Sequence, residues 1–195
     1  MIDKDEVIAF FDSCAPKWDA GMVCNDEVIE IILDNAGVHA GSRVLDVACG
    51  TGVLVPYYLM RNVSSVTGVD ISPGMIAVAR SKFGQDKVHL ICADAETGSF
   101  GTGFDSIVIY NAFPHFADSG RLIGNLVSML SPGGILTVAH GMSRDRVNSH
   151  HSGSASRVSN GLPEAEDLAA LFSEHLEVTA VISDDRMYQV CGKAR

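Results

Sequence analysis

The sequence predicts an α/β fold: a Rossmann-like, doubly wound, mostly parallel sheet of about seven strands, with an antiparallel C-terminal hairpin and helices on both faces. Three observations predict it. Residues 43–48, 65–70, 88–94, 104–112 and 134–140 are rich in Val, Ile and Leu on both alternating positions, as strands buried on two faces must be. Helical patterns separate these runs, and such alternation makes a parallel sheet. The tail departs from it: residues 176–183 and 186–193 read as strands about Asp184-Asp185, a link short enough only for an antiparallel pair.

The elements follow in chain order. Two amphipathic helices, about residues 3–14 and 26–36, precede the sheet. After the first strand comes "CGTG" and then a helix with Pro56 near its start, where proline costs at most one hydrogen bond. Ser72-Pro73 opens the next helix with a serine cap and a proline at the first position. Residues 119–130 set Leu122, Ile123, Leu126, Val127 and Leu130 on one stripe, and "SPGG" (131–134) reads as a turn into the fifth strand. A last helix is expected over 162–172.

Composition narrows the function. A net charge of −10, with no long Lys/Arg run, argues against nucleic acid and against an anionic membrane surface. No apolar run reaches the roughly 18 residues of a membrane span. The acidic N-terminus is no signal peptide, and the 5 cysteines, without CxxC spacing, read as reduced thiols, so a cytoplasmic protein is expected. One domain over 1–195 is expected: N-terminal helices (1–40), the core of the sheet (41–140) and a segment with the last helix and the hairpin (141–195). It would act as a monomer or a homodimer.

The ends of four expected strands carry polar groups: Asp46, Asp70, Asp94 and Asn111. Ligands of open parallel sheets bind beyond those ends. Asp70 lies 20 residues after Gly50, where a carboxylate accepts ribose hydroxyls. That acid serves dinucleotides and adenosylmethionine alike. A dinucleotide loop wants a third glycine at position 55, which is Val55 here, and Asp46 beside a pyrophosphate would repel it. A nucleoside bearing an amino-acid portion fits better.

"VLDVACGTG", "VTGVDISPGMIAVAR", "ICADAE", "FDSIVIYNAFPHF" and "LSPGGILTVAH" together resemble the successive motifs of class I S-adenosylmethionine-dependent methyltransferases, closest to the quinone C-methyltransferase and small-molecule groups. "FFDSCAPKWD" is similar to that family's N-terminal segment, which folds over the cofactor. The resemblance covers about residues 7–140. It implies methyl transfer from S-adenosyl-L-methionine to a small-molecule acceptor by in-line displacement. It implies that Asp46, Ala48, Gly50, Thr51 and Gly52 hold the methionine portion and that Asp70 holds the ribose. It further sets Ile71 and Met75 against adenine, gives the adenine edge to Asp94 and Ala95, and brings Asn111 to the methionine end. Trp18 would belong to the lid.

His115, after the fourth strand, is a candidate base, since histidine titrates near neutrality; packing or cofactor contact is the other reading. Residues 140–157 gather His140, His150 and His151 with Arg144, Arg146 and Arg157 on the expected cofactor rim. His140, Arg144, Arg146, His150 and His151 are therefore candidate acceptor-binding residues, suited to an anionic acceptor. His140, His150 and His151 could alternatively ligate a metal, and the segment could simply be a solvated loop. Two other functions remain open: a nicotinamide-dependent oxidoreductase, and an adenosylmethionine-binding protein without catalysis.

Overall fold

The computed structural model describes residues 2–84, 86–151 and 156–195, and the side chains of all these except His151 and Ser156. Seven strands form one sheet: β1 (Arg43–Val47), β2 (Ser65–Asp70), β3 (Val88–Cys92), β4 (Phe104–Tyr110), β5 (Leu130–His140), β6 (Glu177–Ser183) and β7 (Tyr188–Lys193). Their order is β3-β2-β1-β4-β5-β7-β6. The first five pair in parallel, and β7 runs antiparallel to both β5 and β6. The chain enters at the middle, winds out through β2 and β3, then returns to β4. The direction of winding therefore reverses between β1 and β4, and the crevice opens there.

The two-sided hydrophobic pattern is spent on two layers. Leu45, Val47, Ile107, Ile109, Leu136 and Val138 face one core with α5 (Ser119–Val127) and α7 (Ala165–Ser173). Val44, Val66 and Val108 face the other, with α2 (Asp26–Asn35), α3 (Val55–Met60) and α4 (Pro73–Lys82). Each such aliphatic side chain contributes roughly 1.5–3 kcal/mol by leaving water. In α4 the Ser72 hydroxyl accepts from the Met75 N–H at 3.0 Å, the cap that the sequence predicts. Pro56 takes the second position of α3, where its missing N–H costs little.

Helix α1 (Lys4–Cys14) lies over the crevice rather than beside the sheet. Its Asp12 carboxylate accepts from the Ser72 hydroxyl at 2.5 Å and from the Gly74 N–H at 2.8 Å, which fastens it to the start of α4. No helix among the described residues is long and apolar enough to cross a membrane.

Three expectations need correction. "SPGG" is not a turn before β5 but a bulge within it: Phe104 pairs with Leu130, yet Ser106 pairs with Ile135. The bulge is stitched to the chain end, because Gly133 N–H donates to the Ala194 carbonyl at 3.2 Å and Ala194 N–H to that of Gly134 at 2.8 Å. The stripe of 119–130 ends early, since Leu130 already pairs in the sheet. Finally, residues 140–157 are not a plain loop. They contain α6 (Arg144–His151) and a 3-10 turn over Ser156–Val158.

Candidate cofactor and acceptor site

A cavity of about 640 Å³ opens at the carboxyl ends of β1, β2 and β4 and beside the loop after β3. Its floor is the turn after β1. Ala48 stands at φ +54° and Gly50 at φ +56°, and this left-handed path turns the loop's backbone toward the cavity. Gly50 N–H donates to Asp70 Oδ2 and Ser72 N–H to Oδ1, both at 2.8 Å. Burial pushes the Asp70 carboxyl up, against these N–H groups, which favour the anion. Asp70 thus organises the loop before any ligand arrives.

Asp70, Ile71, Met75, Asp94 and Ala95 line it from β2, the start of α4 and the loop after β3, and Tyr110, Asn111, Ala112 and His115 line it from the end of β4 and the turn beyond. Asn111 has φ +55° and its Oδ1 accepts from Gly141 N–H at 2.9 Å, which ties the ends of β4 and β5 together. The roof comes from the N-terminal segment: Lys4, Val7, Phe11 and Trp18. Phe11 meets Trp18 edge-on at 5.7 Å and His115 at 5.0 Å between ring centroids. Asp19 secures that segment, accepting from the Thr51 hydroxyl at 2.5 Å and from Lys82 Nζ at 2.7 Å. His115 Nδ1 lies 2.7 Å from the Val158 carbonyl oxygen. A carbonyl only accepts, so Nδ1 carries the proton and the lone pair of the neutral ring is on Nε2.

Of the residues singled out in the sequence, Trp18, Ala48, Gly50, Thr51, Asp70, Ile71, Met75, Asp94, Ala95, Asn111 and His115 line this cavity. Asp46 and Gly52 stand behind the wall. Asp46 is 2% exposed and shares its face of β1 with Val44, toward the buried Tyr58 of α3. Burial, and then the charge of Asp70, push its carboxyl up to about 8 against a pull down from the Tyr58 hydroxyl. Its Oδ2 is buried without a hydrogen-bond partner. At Gly52 (φ +86°) a Cβ would lie 2.7 Å from the Phe83 ring, so this glycine serves packing behind the loop.

Of the cluster expected from 140–157, His140, Arg144, Arg146, His150 and Arg157 do not line the cavity. His140 is 2% exposed at the end of β5, with its ring 6.1 Å edge-on from Tyr188. Arg144 turns to the Leu162 carbonyl through Nε at 3.1 Å and to Glu164 at 3.0 Å. Arg146 and His150 are exposed, and the His151 side chain lies outside the described residues. Among the described residues no group of three or more His, Cys, Asp or Glu could hold a metal. The physical reason is helical: α6 starts four residues past β5 and disperses its charges around its own axis.

Sequence reasoning missed Lys4 and Glu96. Glu96 is 3% exposed, and its Oε1 accepts from Ala117 N–H at 2.7 Å and Asp118 N–H at 3.2 Å. It thereby holds the loop that carries His115. Lys4 pairs with Asp94 at 2.6 Å and Glu96 at 2.8 Å. The only signal was an unpaired acid two residues beyond a strand-end aspartate.

The cavity suits adenosylmethionine. Three carboxylates, Asp70, Asp94 and Glu96, line it against the ammonium groups of Lys4 and Lys17, a balance that favours a cationic ligand over a pyrophosphate. Residues 44–134 match the family described as a methyltransferase domain. Over 139 residues, 70% of this chain, the sequence is 33% identical to malonyl-[acyl-carrier protein] O-methyltransferase of Acetivibrio thermocellus, covering 49% of that protein. Over 149 residues, 71% of this chain, it is 32% identical to demethylmenaquinone methyltransferase of Renibacterium salmoninarum, covering 60% of it. The chain therefore spans about half to three fifths of the length of these relatives. A chain from the complex of the Haloferax volcanii Trm112 methyltransferase activator with a methyltransferase superposes with a TM-score of 0.78. That match covers 94% of this chain and 97% of the other at 22% identity, and shows the fold.

Fold and matched core define a Rossmann-like methyltransferase domain. The chain belongs to the class I S-adenosylmethionine-dependent methyltransferases, and in sequence it resembles their quinone and malonyl-carrier-protein members.

Proposed function

We propose that the protein transfers a methyl group from S-adenosyl-L-methionine to a small-molecule acceptor held under the aromatic roof. One observation carries this reading: the carboxylates Asp70 and Asp94 line the same cavity as His115, Phe11 and Trp18. The backbone at Ala48, Gly50 and Thr51 receives the methionine portion, with Asn111 at its end. Asp70 takes the ribose hydroxyls, Ile71 and Met75 flank adenine, and Asp94 and Ala95 hold its edge. When bound, the cofactor supplies an electrophilic methyl on a sulfonium. The chain's own work is to orient the acceptor, exclude water and accept a proton.

His115 is the base of this scheme. Its Nδ1–H is spent on the Val158 carbonyl, so Nε2 is the atom that takes the acceptor's proton. Phe11 and Trp18 favour an apolar acceptor over the anionic one that the arginines suggested, because those arginines line no part of the cavity.

Calorimetry on the purified protein should give binding of adenosylhomocysteine and none of NAD. The reverse outcome would return the oxidoreductase reading. Release of adenosylhomocysteine on adding an acceptor from a panel of phenols, quinols, thiols and amines separates an enzyme from a binding protein. Loss of that turnover in His115→Ala, with cofactor affinity retained, would assign the base.

A further inference from the structure

Lys4 occupies a place that nothing in the cofactor reading gives it. It stands in the first turn of α1, and its ammonium bridges two carboxylates, Asp94 at 2.6 Å and the buried Glu96 at 2.8 Å. Both oxygens of Asp94 are engaged: Oδ1 accepts from the Glu96 N–H at 2.9 Å, and Oδ2 accepts from Lys4 and, at 3.3 Å, from the Thr97 hydroxyl. Burial alone would raise the Asp94 carboxyl; Lys4 and the Glu96 N–H outweigh it and hold the carboxyl below its ordinary value. The rest of α1 does not depend on this contact. Asp12 fastens its other end to Ser72 and Gly74, and Val7 is buried against Val158.

We propose that Lys4 is a resident competitor for the adenine-binding carboxylate, so that nucleoside binding and transfer of the Lys4 ammonium wholly onto Glu96 are one event. The inference rests on the assignment of Asp94 to the adenine amino group. Glu96 is the reason the competition is mild. The ammonium leaves Asp94 for a carboxylate it already touches, so the roof stays on the cavity and no charge is stranded. The device lowers the affinity of every ligand that uses Asp94 by the same factor while keeping α1 in place.

Adenosine is the probe, because it lacks the methionine portion and carries no charge. Calorimetry of adenosine and of adenosylhomocysteine is compared for the wild type, Lys4→Met, Asp94→Asn and the double variant. Lys4→Met should tighten both ligands about two- to fivefold, the range of an exposed or half-buried ion pair. That gain should vanish when Asp94 is already Asn. Glu96→Gln, which keeps an oxygen for the Ala117 and Asp118 N–H groups, should have the opposite sign, since Lys4 then rests on Asp94 alone. Raising salt should help adenosine bind the wild type and not Lys4→Met. Unchanged or weaker adenosine binding by Lys4→Met overturns the proposal and makes Lys4 a support of the site. Absence of adenosylhomocysteine binding in every protein, with the fold retained by circular dichroism, overturns the cofactor assignment itself and the clasp with it.

Discussion

The chain leaves β1, β2 and β4 by one kind of path and leaves β5 by another. After β1 and β4 the backbone turns left-handed within one residue of the strand, at Ala48 and Asn111, and after β2 Asp70 gives both its oxygens to backbone N–H groups. These turns bring the side chains of three strand ends to one cavity. After β5 three residues lead into α6, whose described basic residues pair locally or face solvent. The β5 exit has more charge per residue, yet none of its described residues lines the cavity. A site is made by where the two or three residues after each strand point, and the density of reactive side chains does not substitute for that.

The comparison breaks most visibly at Asp70. Asp70→Ala removes an acceptor for two backbone N–H groups as well as the expected ribose contact. It should weaken adenosylhomocysteine by about 1–3 kcal/mol, roughly five- to 150-fold, by calorimetry. An affinity within twofold of wild type would show that the loop organises itself.

Asp46 sharpens the same side through pH. In the native protein its proton is held until about pH 8, while an unfolded chain releases it near the ordinary carboxylate value of about 3.9. The native state therefore binds more protons across that window. Its contribution to stability is fully present at the acid end and is lost as pH rises toward 8, at up to about 1.4 kcal/mol per pH unit. Urea midpoints at pH 5, 6, 7 and 8 should fall for the wild type and stay flatter for Asp46→Asn. Equal slopes would mean that Asp46 is ionised throughout.

The smallest effects belong to the β5 side. Arg144→Ala loses the bond to Leu162 and the pair with Glu164, at a cost of about 1 kcal/mol in stability, with cofactor affinity unchanged. His150→Ala, at an exposed position, should alter neither beyond about twofold in affinity, roughly 0.4 kcal/mol. A large loss of adenosylhomocysteine binding in either variant would bring α6 back to the site.

The sequence by itself determined the strands, their burial on both faces, the C-terminal hairpin and the acids at the end of β2 and just beyond β3. These are legible because alternation, caps and strand-end chemistry depend on residues within a few positions of one another. It also marked Trp18 and "FFDSC" as a cover. Only the tertiary structure decided that Asp46 and Gly52 stand behind the wall, that "SPGG" is a bulge held by Ala194, and that Lys4 reaches Asp94 across 90 residues of chain. The same holds for His140, Arg144, Arg146 and His150, which read as a cluster along the chain: His140 is buried at the end of β5 and the other three stand on α6. Contacts between distant segments depend on how α1 and α6 settle on the sheet, and that is fixed by the summed packing of apolar faces, which no local pattern of polar residues records.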